Sequence, residues 1–265
     1  MAEADLKGSV ALVTGGSLGI GRATCVAFAR AGAHVAVNYN SHPDEAEQVV
    51  RAVRDSGSLA IRVQADVSDQ QAVERMVAQV VDRFGKLDIA VANAAYSDRE
   101  PFVEADMDGF RRTIDVTMWG AFFLMRAAAR EMIRQGGPGS VVLVSSPHSM
   151  IPVPGCMAYN MAKSAVEAMA KTAALELAQY RIRVNVIQPG WVDTPGERKF
   201  ATEEEMKRAE RRIPAGRLGT PEEIAESILF LSDPRREYTT GATLLVDGGI
   251  SLPWWAGHGE APKMD

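Results

Sequence analysis

Short apolar segments alternate with longer segments of helical periodicity along the chain. The apolar segments are rich in β-branched residues, and most are continuous rather than alternating. This pattern is typical of strands buried on both faces of a parallel sheet. The predicted strands are Ser9–Val13, His34–Val37, Ala60–Val63, Leu87–Ala92, Ser140–Val144, Arg183–Ile187 and Thr243–Val246.

The segments between these strands repeat their apolar residues with the period of a helix. The predicted helices are Ile20–Ala31, Pro43–Ser56, Gln70–Phe84, Asp108–Gln135, Met157–Gln179 and Pro221–Leu231. Regular strand–helix alternation implies βαβ units with right-handed crossovers. We therefore expect an α/β fold with a doubly wound parallel sheet of about seven strands.

No Pro- or Ser-rich linker and no shift in composition divides the chain. We predict one domain over residues 1–252 and a polar tail over 253–265. The longest irregular stretch, about residues 190–215, contains a predicted short helix near Glu203–Arg211. An irregular segment of this length is usually a lid or a binding element.

Composition narrows the class of protein. The 265 residues are 46% hydrophobic and 24% charged, which excludes a mainly disordered chain. A net charge of −5 disfavours a nucleic-acid binder that relies on bulk positive charge, and no apolar stretch is long enough to span a membrane. Two cysteines and the absence of a signal-peptide pattern favour the cytoplasm. Four scattered histidines give no metal-ligand spacing.

A glycine-rich turn follows the first strand and opens the first helix, with the sequence Thr14-Gly-Gly-Ser-Leu-Gly-Ile-Gly21. An isolated match of this kind could equally be a plain turn. Between a strand and a helix, the glycines let the backbone turn tightly and aim helix N–H groups at a pyrophosphate. The predicted dinucleotide-binding residues here are Gly15, Ser17, Leu18, Gly19, Ile20 and Gly21.

The end of the second strand, Asn38-Tyr39-Asn40-Ser41, carries no acidic residue. An acid at this point would select NAD by binding the ribose hydroxyls and repelling a 2′-phosphate. Asn38, Asn40 and Ser41 can donate to a phosphate, and Arg22 lies just beyond the glycine turn, so NADP is favoured and NAD is the alternative. After the third strand, Asp66-Val67 could accept from the adenine amino group, or Asp66 could cap the following turn.

A tyrosine and a lysine one helical turn apart carry the predicted chemistry. Tyr159 and Lys163 lie on one face of the helix that follows the fifth strand, and Ser146 ends that strand. A nearby ammonium should lower the phenol pKa, so that Tyr159 acts as a general acid or base while Ser146 binds the same substrate oxygen. A surface Tyr–Lys pair is the alternative for these two residues alone.

In this order, four motifs resemble the short-chain dehydrogenase/reductase family over residues 5–252: the glycine turn, Ser146, Tyr159-x-x-x-Lys163 and Pro189-Gly-x-x-x-Thr194. The resemblance implies a tetrameric, Rossmann-like, nicotinamide-dependent oxidoreductase. It also implies that Lys163 binds the nicotinamide ribose. Further cofactor contacts are implied at Asn93, Ala94, Pro189, Gly190, Val192 and Thr194. Three stretches look most like bacterial glucose 1-dehydrogenases: Ser145–Pro154, Ile213–Ile224 and Tyr238–Gly249. The 3-oxoacyl-carrier-protein reductases are similar almost as closely over the cofactor half.

Two positions depart from the family pattern. Thr117 replaces an asparagine that supports a water in a proton relay, so Thr117 is expected to take this catalytic role with a different reach. Ala95 replaces a glycine, which is costly only where φ is positive. These departures leave open a weakly active, cofactor-binding scaffold protein.

Substrate-binding residues are expected on the loops after the strands. The candidates are Tyr96, His148 and Trp191, with Met150, Val153, Met157 and a lid at Glu197–Phe200 as further walls. His148 could bind a sugar hydroxyl or a carboxylate, or it could be a solvated loop residue. The two longest predicted helices are apolar on more than one face, and the tail carries Trp254-Trp255, so we expect contacts with a partner subunit. The family resemblance implies that the assembly is a homotetramer.

Overall fold

The computed structural model describes residues 4–252. Seven parallel strands form one sheet in the order β3-β2-β1-β4-β5-β6-β7. The strands are β1 Val10–Val13, β2 His34–Tyr39, β3 Ala60–Gln64, β4 Ile89–Ala92, β5 Gly139–Val144, β6 Ile182–Pro189 and β7 Thr243–Val246. The predicted doubly wound α/β fold is confirmed.

Helices cover both faces of the sheet. They are α1 Gly19–Arg30, α2 Pro43–Asp55, α3 Gln70–Phe84, α4 Met107–Ile114, α5 Gly120–Gln135, α6 Met157–Leu177, α7 Glu203–Glu210 and α8 Pro221–Ser232. Local chemistry sets several starts: Asp69 accepts hydrogen bonds from two N–H groups of α3, and Thr220 with Glu223 forms a capping box on α8.

The core lies in two layers, one on each face of the sheet. Alternate strand residues supply them, so that Leu12 and Leu143 face α3, α5 and α6 whereas Val13 and Val142 face α1, α2 and α8. Both sets are buried, and this explains why the strands read as continuous apolar runs instead of alternating ones.

The predicted helix Asp108–Gln135 is not one α-helix. A five-residue π-helical segment, Asp115–Trp119, separates α4 from α5. Apolar periodicity reports which side of a helix faces the core, and a single wide turn changes that pattern too little to be read from the sequence.

The order of the strands determines where a ligand can bind. Strand β1 pairs with β2 on one side and with β4 on the other, so the chain leaves β1 and β4 in opposite directions across the sheet. Parallel sheets open a crevice at the carboxyl ends of two such strands. No helix within residues 4–252 is long and apolar enough to cross a membrane.

Candidate functional site

A cavity of about 990 Å³ opens in this crevice. It collects almost all of the predicted site residues onto one surface. Those that line it are Gly15, Ser17, Leu18, Gly19, Ile20, Asn38, Tyr39, Asn40, Ser41, Asp66, Val67, Asn93, Ala94, Tyr96, Ser146, His148, Tyr159, Lys163, Pro189, Gly190, Trp191, Val192 and Thr194. Gly21 and Thr117 are buried and do not line it, whereas Met150 and Met157, expected as walls, are exposed at the surface outside it.

The glycine turn fits the pyrophosphate of a dinucleotide. Gly15 and Gly19 have positive φ angles of 61° and 50°, and a Cβ on Gly21 would collide with the carbonyl oxygen of Gly15. Helix α1 begins at the cavity wall without a side-chain cap and without an acid in its first turn. Its first N–H groups and its dipole are therefore suited to bind an anion.

Two side chains fix this turn to the neighbouring strand. The Asn93 amide donates to the carbonyl oxygens of Thr14 and Gly15, at 2.8 and 3.2 Å. The Thr14 hydroxyl donates to the Val91 carbonyl and accepts from the Asn93 backbone N–H at 3.0 Å. Because these bonds join β1 to β4, Asn93 holds the shape of the turn.

The predicted phosphate contact of the Asn38 side chain is wrong. Asn38 is buried, and its Oδ1 accepts from the Gly15 N–H at 3.2 Å. Its Nδ2 donates to the carbonyl oxygens of Val63 and Ala65, at 3.3 and 3.1 Å. These backbone groups leave Asn38 no hydrogen to donate to a phosphate, so the residue joins β1, β2 and β3 instead.

The adenosine end of the cavity differs from the expectation in two further respects. Arg22 is not among the lining residues, whereas Glu45, from the first turn of α2, is one of them. Sequence reasoning missed Glu45, because this residue follows the end of β2 by several residues.

Asp66 takes the turn-capping role that the sequence left open, and its contact with adenine stays a prediction. Its Oδ1 accepts from the N–H and the hydroxyl of Ser68, and its Oδ2 forms an ion pair with Arg112 at 2.7 Å. Partial burial raises the pKa of the Asp66 carboxyl, but these bonds outweigh it and the pKa is lowered overall. Asp66 therefore shapes the turn and still lines the cavity, while Asp69 caps α3.

Ser146, Tyr159 and Lys163 meet at the centre of the cavity. Ser146 lies two residues beyond the end of β5 and hydrogen-bonds the Tyr159 hydroxyl, and the Lys163 ammonium lies 5.3 Å from the centre of the Tyr159 ring. Lys163 Nζ donates to the Val144 carbonyl oxygen at 2.7 Å. This arrangement can hold a carbonyl or alcohol oxygen between two hydroxyl groups and move a proton at it.

The pKa of Tyr159 is raised in the structure, opposite to the direction predicted from its lysine neighbour. Burial of the phenol is the largest cause, Glu197 adds to it, and Arg99 and the bond to Ser146 oppose it. The same burial lowers the pKa of Lys163 to about 8. Sequence spacing placed the two groups correctly but could not report how completely water is excluded from them.

The water-binding role of Thr117 stays a prediction, and the structure shows where its hydroxyl proton goes. Thr117 lies in the π-helical segment, buried, and its hydroxyl donates to the Tyr96 carbonyl oxygen at 2.7 Å. The Thr117 hydroxyl oxygen also accepts from the Tyr96 N–H at 2.9 Å. Because its one proton is used on Tyr96, Thr117 is a positioning residue for the cavity loop after β4. Ala95 does not have a positive φ, so its replacement of glycine strains nothing.

A charged pair lies on the cavity wall, and sequence reasoning missed one of its partners. Arg99, in the loop after β4, bonds Glu197 at 3.0 Å, and its guanidinium lies 4.0 Å from the centre of the Phe200 ring. Both lid residues come from the segment predicted as a lid. The contact therefore joins the lid segment to the loop after β4.

Comparison with known proteins agrees with this geometry. A sequence model described as Enoyl-(Acyl carrier protein) reductase matches residues 15–251. An L-rhamnose 1-dehydrogenase (NAD(P)(+)) from Sphingomonas sp. is 39% identical, over 92% of this chain and 97% of the relative. A 3beta-hydroxysteroid dehydrogenase 1 from Eggerthella lenta is 39% identical, over 94% and 95%. Glucose 1-dehydrogenase 2 from Bacillus subtilis is 35% identical, over 94% and 96%.

The buried ammonium of Lys163 makes a prediction about stability and pH. With its pKa lowered to about 8 in the folded protein, Lys163 binds fewer protons there than in the unfolded chain between about pH 8 and 10.5. Stability should therefore rise with pH in this window, as the cost of the buried charge disappears. Lys163→Met removes this contribution. The melting temperature of the wild type minus that of the variant should therefore increase from pH 8 to pH 10.

Scanning calorimetry at intervals of half a pH unit measures both proteins, and Lys171→Met, on the same helix at an exposed position, is the control. Parallel curves for wild type and Lys163→Met would contradict the lowered pKa.

Proposed function

The chain belongs to the short-chain dehydrogenase/reductase family and is an NAD(P)-dependent oxidoreductase. We propose that Ser146, Tyr159 and Lys163 carry out the proton transfer on a carbonyl or a secondary alcohol. The observation that carries the proposal is the meeting of Ser146, Tyr159 and Lys163 in the cavity that the uncapped start of α1 also faces. The nicotinamide supplies or accepts the hydride.

In the direction of reduction, the Tyr159 hydroxyl gives its proton to the substrate oxygen as the carbonyl carbon is reduced. Ser146 donates a second hydrogen bond to the same oxygen and so holds it within reach. Lys163 stabilises the tyrosinate that remains, since an ammonium beside a phenolate favours its charged form. In oxidation the same groups act in reverse, with Tyr159 as the base.

Sugar oxidation at C1, as in glucose 1-dehydrogenases, is the substrate class that we favour. Three features of the cavity support it: the ion pair on its wall, His148 beside Tyr159, and Lys199 among the lining residues. A 3-oxoacyl-carrier-protein reductase-like activity is the second candidate, because the matching family model carries an acyl-carrier-protein reductase description. Tyr96, His148 and Trp191 are the proposed substrate contacts.

A panel of aldoses, β-keto thioesters and cyclic ketones, each with NADP and NAD in the matching redox state, tests the activity. Tyr159→Phe should lower turnover by about 10³-fold on every active substrate, because it removes the proton donor, while cofactor binding measured by fluorescence stays within a few fold. Tyr180→Phe, far from the cavity, is the control and should keep full turnover. Cofactor binding without turnover on any substrate would instead indicate the scaffold protein.

We propose NADP(H) as the preferred cofactor, with NAD(H) as the alternative. No acidic residue stands at the end of β2, and Asn40 and Ser41 line the cavity there with groups that can donate to a 2′-phosphate. Glu45 acts against this preference, because its carboxylate lines the same end of the cavity and would repel a phosphate.

Removing that carboxylate should sharpen the preference. Glu45→Gln is expected to lower the KM for NADP about threefold, in line with one screened charge interaction near the surface, and to leave the KM for NAD unchanged. Asp44→Asn is the matched control, since Asp44 is adjacent, exposed and not a lining residue. An equal change in both KM values would show that Glu45 does not face the 2′ position.

A homotetramer is the proposed assembly. Large apolar side chains lie exposed along α4 to α6, among them Trp119, Met161 and Leu175, whose exposed fraction is 82%. Surfaces of this kind mark contacts between proteins. Trp254 and Trp255, also expected at a contact, lie outside the described residues.

Light scattering coupled to size-exclusion chromatography should give four times the chain mass of 28.6 kDa at micromolar concentration. Leu175→Glu places a charge on the exposed surface and should shift the protein to smaller species, whereas Lys7→Glu, exposed but outside α4 to α6, should not. A wild-type monomer would contradict the assembly.

The cytoplasm is the proposed location. Cys25 and Cys156 are both free and buried in the structure, as is typical of proteins from a reducing compartment.

A further inference from the structure

His148 lies beside the proton-transfer residues but is not one of them. It sits in a single 3₁₀ turn, Pro147–Ser149, directly after Ser146, and it lines the cavity half-buried. Its ring packs edge-on against the Tyr159 ring, with 5.3 Å between the ring centres and an interplanar angle of 88°. Any substrate whose oxygen reaches Tyr159 therefore lies next to this imidazole.

The residue after Tyr159 determines which nitrogen of His148 carries the proton. Asn160 Nδ2 donates to the Val153 carbonyl oxygen at 3.1 Å, and a carbonyl can only accept, so this bond fixes the orientation of the amide. Asn160 Oδ1 then faces His148 Nδ1 at 3.0 Å. Because the amide oxygen is an acceptor, His148 Nδ1 must be the donor and must carry the hydrogen.

The other nitrogen, Nε2, is left with a lone pair. Within the described part of the chain, Asn160 is the side-chain partner of the imidazole and no group bonds Nε2. Burial lowers the pKa of His148, and Arg99 and Lys163 lower it further, while the bond to Asn160 and the charge of Glu197 oppose them. The ring is therefore neutral near pH 7, and Nε2 can accept a hydrogen bond but cannot donate one.

We propose that His148 is a specificity-determining residue: its Nε2 accepts a hydrogen bond from a substrate hydroxyl on the carbon beside the reacting one. This inference rests on the proposed oxidoreductase function and narrows its substrate class to vicinal polyhydroxy compounds, such as aldoses. An acceptor at this point attracts a hydroxyl but repels a second carbonyl oxygen or a carboxylate. The same geometry therefore disfavours β-keto thioesters.

Pairs of substrates that differ by one hydroxyl test this preference. We would compare kcat/KM for cyclohexane-1,2-diol against cyclohexanol, and for glucose against 2-deoxyglucose. The wild type should prefer the hydroxylated member of an active pair about tenfold, the value of one net hydrogen bond. A wild-type ratio near one in every active pair would overturn the proposal.

Three variants separate the nitrogen atom from the ring. His148→Phe keeps an aromatic ring against Tyr159 and His148→Asn keeps a partner for Asn160, but neither supplies an acceptor at the Nε2 position, so both should lose the preference at least fivefold. His148→Gln reaches that position with an amide oxygen and should recover part of it. His34→Phe, at the opposite end of β2, should keep the wild-type ratio. An undiminished preference in His148→Phe would overturn the proposal.

The tautomer can be measured without any activity. The ¹⁵N NMR spectrum of histidine-labelled protein distinguishes protonated from unprotonated ring nitrogens, and His148→Phe assigns the signals. Protonation at Nδ1 is expected in the wild type, and Asn160→Leu should release it to a mixture of tautomers. Protonation at Nε2 in the wild type would overturn the proposal even in an active enzyme. Inactivity on every substrate alongside an Nδ1–H tautomer would contradict the proposed function while leaving the tautomer assignment intact.

Discussion

The site depends on how the glycine turn is held between β1 and β4, where the order of the strands in the sheet reverses. Glycines give that turn its freedom, but a free turn has no fixed direction, and the anion-binding power of α1 depends on where its first N–H groups point. Asn93 holds the turn from β4 and Asn38 holds it from β2, each through buried backbone groups that would be costly to leave unpaired. The cofactor half of the cavity is thus preorganised by two amides that need not touch the cofactor.

The substrate half follows the same logic. Thr117 holds the loop of Tyr96, Asn160 holds His148, and Arg99 ties the lid segment to the loop after β4. In each case a side chain without a chemical role sets the position of one that has such a role. The chemistry of the site therefore lies in a few residues, whereas the positions of the surrounding loops depend on the hydrogen bonds that hold them.

Most of the fold could be predicted from the sequence, because strand burial and helix periodicity leave a direct record in the order of apolar residues. Most cavity residues could also be predicted, because the glycine turn and the Tyr159–Lys163 spacing are local patterns in the sequence. What could not be predicted depends on contacts distant in sequence. The buried environment of Tyr159, the internal bonds of Asn38 and the charges of Glu45 and Arg99 have no local pattern, since each is set by which loop comes to lie beside it.

The π-helical segment between α4 and α5 has a consequence for how this chain could change by insertion or deletion. A π turn holds one residue more than an α turn. Because of that extra residue, the five residues Asp115–Trp119 turn about as far as four residues of an α-helix, so α4 and α5 face nearly as they would on one uninterrupted helix. Removing one residue between Asp115 and Trp119 would therefore leave the two flanking helices in register and would redistribute only the side chains inside the segment, among them Thr117, whose hydroxyl holds Tyr96. Such a deletion would be felt at the cavity loop after β4 rather than in the core.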